Sequence, residues 1–153
     1  MQKYCLILIA SFSGVIFYAG CHKKSAETTT QQHPLIPFEI SISTGGGFTG
    51  LYQGFTLHSD GKIEQWQQDR AGKVKILKSR QGDAKEFVKF RKELERDDIF
   101  KLKLTQTGNM TTKIVYQKGD STFVWIWQAG GEIPPQMQKW YDSIRIFCKQ
   151  QIQ

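Results

Sequence analysis

Hydrophobic and polar positions alternate through one half of the chain and switch to helical spacing in the other. Phe38, Ile40 and Ile42 point one way while Glu39, Ser41 and Ser43 point the other, so residues 38–43 read as a half-buried strand. Leu51, Phe55 and Leu57 share a face in a second strand, 51–58. An Asp-Gly turn signal lies in His58-Ser59-Asp60-Gly61-Lys62, residues 63–67 return, Asp69-Arg70-Ala71-Gly72-Lys73 turns again, and 74–78 form a further short strand. The pattern predicts an antiparallel meander. Phe87, Phe90 and Leu94 then fall at helical spacing, bordered by the aliphatic stem of Arg91, with Asp83 as N-cap and Glu86 placed for a capping box. Arg96-Asp97-Asp98 ends this helix, and Ile99-Phe100-Lys101-Leu102 is expected to dock onto the core. Strands 112–116 and 122–127 flank a turn at Lys118-Gly119-Asp120. Pro134-Pro135 opens a last helix whose Met137, Trp140, Tyr141, Ile144 and Phe147 lie on one inward face.

Together these elements predict one α+β domain over residues 38–150, with a mainly antiparallel five- to six-stranded sheet and two helices packed on one face. A domain of this length buries roughly two-thirds of its unfolded surface, which suffices without disulfides. Residues 122–127 are apolar on both faces, so alternation alone leaves their orientation open. Trp125 and Trp127 share a face with Phe123, opposite Val124 and Ile126. If the aliphatic face meets the helices, Trp125 and Trp127 stay outside, where tryptophans stack on sugars or anchor a protein partner. Trp66 and Tyr52 invite the same outward reading.

Between the first two strands stands Gly45-Gly46-Gly47-Phe48-Thr49-Gly50. Gly45, Gly47 and Gly50 fit G-x-G-x-x-G, but a dinucleotide cradle needs a helix directly afterwards, and Leu51-Tyr52-Gln53-Gly54-Phe55 favours a strand. The glycines therefore read as a wide turn or bulge. Phe48 within it is expected to plug one end of the core; the other reading has it stand out as a contact residue.

No reactive grouping emerges. His58-Ser59-Asp60 contains the letters of a triad, yet neighbours in a tight turn do not converge as a triad must. His22 and His33 precede the domain, no Cys pair or H-x-x-x-H spacing occurs, and Asp97-Asp98 is a helix end, so no metal or other cofactor is expected. The expectation is a non-enzymatic domain. Lys and Arg number 21 against 14 Asp and Glu, scattered rather than clustered. That balance suits an acidic envelope polymer, anionic headgroups or an acidic protein, and outside the cytoplasm no nucleic acid is expected.

The first residues read as a targeting segment. Lys3 supplies a positive start, residues 6–17 an apolar run, and Tyr18-Ala19-Gly20-Cys21 a close. Ala-Gly-Cys resembles the end of a bacterial lipoprotein signal, which implies cleavage of residues 1–20 and lipid on Cys21. Residues 21–37 then form the lipidated cysteine and a polar tether, spanning about 20 Å as a coil. The resemblance implies a cell-envelope protein with its domain outside the cytoplasm. His22 after the cysteine points to the outer membrane rather than the inner. Cys5 leaves with the signal, so Cys148 is left without a partner and is expected to pack as a small apolar residue.

The order of a strand entering Gly46-Gly47-Phe48-Thr49-Gly50, further strands, a helix ending near Asp98-Ile99-Phe100-Lys101-Leu102, a strand pair and a Pro-initiated helix resembles the emfourin-type inhibitors of thermolysin-like metallopeptidases. The resemblance implies a monomeric inhibitor whose Gly46, Gly47, Phe48, Thr49 and Gly50 touch a peptidase. The other function kept open is binding of a cell-envelope glycan or polymer through Trp125 and Trp127.

Overall fold

A computed structural model describes residues 36–153. The unit Pro34–Gln153 is compact and carries its own core. Strands β1 (Phe38–Gly46), β2 (Leu51–His58), β3 (Lys62–Gln68) and β4 (Val74–Gln81) form the expected meander. Helix α1 (Ala84–Leu94) and the single-turn α2 (Asp97–Phe100) cross over the sheet. β5 (Met110–Lys118) and β6 (Ser121–Gln128) complete it, and α3 (Pro135–Ile152) closes the chain. The sheet is open, antiparallel throughout, in the order β4-β3-β2-β1-β5-β6.

β1 is therefore an inner strand, paired with β2 on one side and β5 on the other. Ile42 stands opposite Phe55 and Ile114, and Ile40 opposite Leu57 and Tyr116. Opposed residues share a face, so these form one apolar row that runs on to Ile63 in β3 and Trp125 in β6. The helices cover that row with Phe87, Phe90 and Leu94 from α1 and Met137, Trp140 and Ile144 from α3. The helices lock to each other where Phe147 meets the rings of Phe87 and Phe90 and Trp140 Nε1 donates to Phe90 O at 3.0 Å. Cys148 is fully buried in α3, and burial pushes its thiol up to about 12, so it packs as an apolar residue. α3 continues past the expected end at residue 150 to Ile152, whose side chain is buried.

The register overturns the outward reading of Trp125 and Trp127, which are 2% and 5% exposed. Trp125 is opposite Ile114, already committed to the core, and Trp127 is opposite Thr112 on the same side. Phe100 meets Trp125 at 5.9 Å between centroids, and Tyr141 meets Trp127 edge-on at 5.3 Å. Val124 is exposed instead. The aromatic face of β6 is the core face because its large rings fill the space beneath α2 and α3.

Smaller expectations shift as well. Asp83 Oδ1 accepts from Lys85 N–H at 2.8 Å, while the Glu86 carboxylate turns to Lys89, so the cap is one-sided rather than a box. β4 runs on to Gln81 and is exposed along its whole length, with Lys75, Lys78 and Arg80 interleaved among Val74, Ile76 and Leu77. Charges on an edge strand of this kind discourage pairing with another chain.

At one end of the sheet Glu95, just after α1, accepts from Tyr116 Oη and from Lys118 Nζ at 2.7 Å, with Arg91 Nε at 3.8 Å. Burial acts to raise the Glu95 carboxyl, but donation by Lys118 and Tyr116 and the charges of Lys118 and Arg91 outweigh it and hold the group below its ordinary 4.5. A depressed carboxyl stabilises the fold above its unfolded value and loses that stabilisation as pH falls through the folded value. Glu95→Gln is therefore less stable than the natural protein near neutral pH, and the gap narrows as pH drops below about 4. Urea midpoints measured along the acid limb check this; a gap independent of pH contradicts it.

Gly54 sits where β1, β2 and β3 approach closely. A Cβ there collides with Ile42 O and lies 2.6 Å from Trp66 Cζ2. Gly54→Ala should cost about 1–3 kcal/mol as overpacking. Denaturant unfolding monitored by circular dichroism measures it, and an unchanged midpoint refutes the close approach.

Candidate functional site

The chain leaves β1 and enters β2 through four residues, 47–50, and the glycines make this possible. Gly46, Gly47 and Gly50 have φ of 98°, 63° and 61°, a region that a side chain resists. The turn is rigidly tied. Gly50 N–H is shared between Gly46 O and Gly47 O, both at 3.2 Å. Thr49 Oγ1 donates to Gly46 O and accepts from Leu51 N–H, each at 3.3 Å. Gly47 N–H donates to Asn109 O, so the residue before β5 braces the tip from outside the hairpin. No helix follows the glycines, in keeping with the turn reading and against a phosphate cradle.

Phe48 is 100% exposed. The expectation that it plugs the core is corrected. Its neighbours' positive φ and the Asn109 brace carry the tip beyond the end of the sheet, where no core remains to receive a ring. A fully exposed phenylalanine on a braced turn is unusual, because burying such a ring stabilises by about 1.5–3 kcal/mol.

A cavity of about 490 Å³ opens beside the tip on the helix side, lined among others by Thr49, Gln53, Tyr141, Arg145 and Lys149. Its floor is ordered by hydroxyls, with Thr44 Oγ1 within 3.0 Å of Tyr141 Oη and 3.3 Å of Thr112 Oγ1. Arg145 stands 5.8 Å from the Tyr141 ring centroid. Arg70, from the turn between β3 and β4, packs its stem toward Gly50, where a Cβ would lie 3.0 Å from its Cγ. The hairpin is thus flanked by cations on two sides, which sequence reasoning did not anticipate, since residues 50, 70 and 145 meet only through the tertiary fold.

Gly46, Gly47, Phe48, Thr49 and Gly50 therefore form one contiguous element, in which Phe48 and Thr49 are exposed and the three glycines half-buried. Trp125 and Trp127 belong to the core and share nothing with it. Cys21 lies outside the described residues. His58 does not face Ser59; Nδ1 lies 3.2 Å from Glu39 Oε2 and Nε2 lies 3.3 Å from Glu64 Oε2. Asp60 Oδ1 accepts from Lys62 N–H at 2.9 Å, the ordinary duty of an aspartate in a turn. Lys62 donates to Glu64 and, against the opposing effect of burial, holds that carboxyl below its ordinary value, with His58 helping. Among the described residues no three His, Cys, Asp or Glu side chains are grouped to hold a metal ion, and no helix is long and apolar enough to cross a membrane. No protein-family model matches the chain, and no curated protein matches it.

Because Phe48 touches no core, Phe48→Ala should move the thermal midpoint by no more than an equivalent of about 0.5 kcal/mol. Calorimetry checks this; a loss several times larger means the ring packs after all.

Proposed function

We propose that this domain is a non-enzymatic recognition module, held at a bacterial membrane by lipid on Cys21, that inserts its Gly46–Gly50 hairpin into the cleft of a protein partner. The observation that carries the reading is the fully exposed Phe48 on a turn braced by Asn109. A rigid turn loses little conformational freedom on binding, so more of the contact energy appears as affinity. A protruding aromatic ring is the kind of anchor that dominates interface energetics. Arg70, Arg145 and Lys149 beside the tip favour a cleft with an acidic rim. The emfourin resemblance makes a thermolysin-like metallopeptidase the first partner to try. The lysine-studded β4 edge supports a monomeric inhibitor.

Titration of the 34–153 unit against a thermolysin-like peptidase tests it. Inhibition should saturate at micromolar concentration or below. Phe48→Ala, which leaves the fold intact, should weaken it about 30-fold or more, the size expected of a central aromatic anchor. No inhibition by the natural sequence removes the peptidase as partner; equal inhibition by Phe48→Ala removes the hairpin as the inserting element.

A further inference from the structure

The face of the sheet turned away from the helices holds a groove of about 460 Å³. Trp66 and Tyr52 form one wall, and the segment with Thr107 and Gly108 forms the other. Ser41, Ser43, Thr111 and Lys113 lie between them. The walls are built rather than incidental. Trp66 Nε1 donates to Thr56 Oγ1 at 2.9 Å, and Thr56 Oγ1 is 3.0 Å from Ser41 Oγ, which fixes the indole and leaves Ser41 hydrogen-bonding capacity toward the groove. The Trp66 ring edge occupies the place where Gly54 lacks a Cβ, and Tyr52 does the same at Gly45, its Cγ lying 2.7 Å from a Cβ position there. Both rings are thus seated on glycines of the sheet. On the far side Thr111 Oγ1 donates to Gly108 O at 3.2 Å and ties that wall to the floor.

The chemistry of this lining selects its occupant. Fixed aromatic rings offer apolar faces, and the half-buried Ser41 hydroxyl, with the nearly buried Ser43 and Thr111 beside it, offers a donor and an acceptor at the floor, which together suit the C–H face and hydroxyl edge of a pyranose. No Asp or Glu lines the groove, and Lys113 makes no ion pair among the described residues. One uncompensated cation beside an otherwise neutral surface calls for one anionic substituent on the ligand. We propose that this groove binds an acidic oligosaccharide, with pyranose rings against Trp66 and Tyr52 and a carboxylate toward Lys113. The site lies on the sheet's other face from the helix-side cavity beside Phe48, and the two stand or fall separately.

The protein carries its own reporter. Trp125, Trp127 and Trp140 are buried, so of the four tryptophans only Trp66 is partly exposed. Oligogalacturonate titrated into the full chain in detergent should change tryptophan fluorescence and saturate below about 1 mM. Lys113→Gln should weaken oligogalacturonate about 5- to 10-fold while leaving a neutral oligosaccharide of equal length unchanged, and added salt should act in the same direction. Trp66→Ala should lose binding of both, followed by calorimetry because the reporter is gone. Trp66→Phe keeps a ring and should bind partially, which separates loss of stacking from loss of fold. Phe48→Ala should bind as the natural protein does. No saturable signal up to about 5 mM, unchanged affinity in Lys113→Gln, or equal binding of a glutamate oligopeptide overturns the proposal, the last because the groove would then read charge and not sugar.

Discussion

The structure depends on β1 being paired along both edges. Ile40 and Ile42 have their vertical positions set by β2 and β5 at once, so the strand cannot slip by one residue without turning two neighbours inside out. That constraint makes one face of the sheet continuously apolar from Ile63 to Trp125 and leaves the other mixed, with serines, threonines and charges beside the rings of Tyr52 and Trp66. The helices have only one surface on which to settle, and the aromatic side of β6 goes with it.

The same strand runs out of side chains at its end. Gly45 and Gly46 let β1 continue past the core, with Tyr52 close above them, and Gly54 lets Trp66 approach β1 and β2. Two surface features follow from these glycines. Beyond the sheet's end, positive φ values shape a turn that lifts Phe48 into solvent. On the outer face, absent Cβ atoms seat two rings beside a row of hydroxyls. In both places backbone approach takes the role that bulky packing takes in the core.

Polar interactions organise the opposite end. Glu95 joins the end of α1 to β5 through Tyr116 and Lys118, while His58, Glu39 and Glu64 join β1, β2 and β3 on the outer face. Burial and donation to Glu95 hold the Tyr116 phenol protonated far above its ordinary 10. These groups are fully occupied with one another. At the glycine end Phe48 stands clear of the core, and Arg145 beside it pairs with Asp142 at 3.5 Å.

Local chemistry was legible from residue order. Alternation at residues 38–43, the Asp-Gly turn, the spacing of Phe87, Phe90 and Leu94, and the paired prolines before α3 each act within a few residues, and each element formed where they indicate. The glycine turn could be read for the same reason, since it depends on φ and not on neighbours. What residue order left undecided was the facing of the strand that is apolar on both sides and of the single rings Phe48, Trp66 and Tyr52. Residues 122–127 are apolar on both sides, so only pairing of Trp125 with Ile114, itself opposite Ile42, could send the tryptophans inward. Trp66 and Tyr52 became the partly exposed aromatic pair on the outer face because they fall on the other parity of the same ladder. Residue order specified the elements and the turn, because those follow from torsion and short-range periodicity; register with distant strands set which rings are buried and which reach the surface, because facing depends on the strand across the ladder.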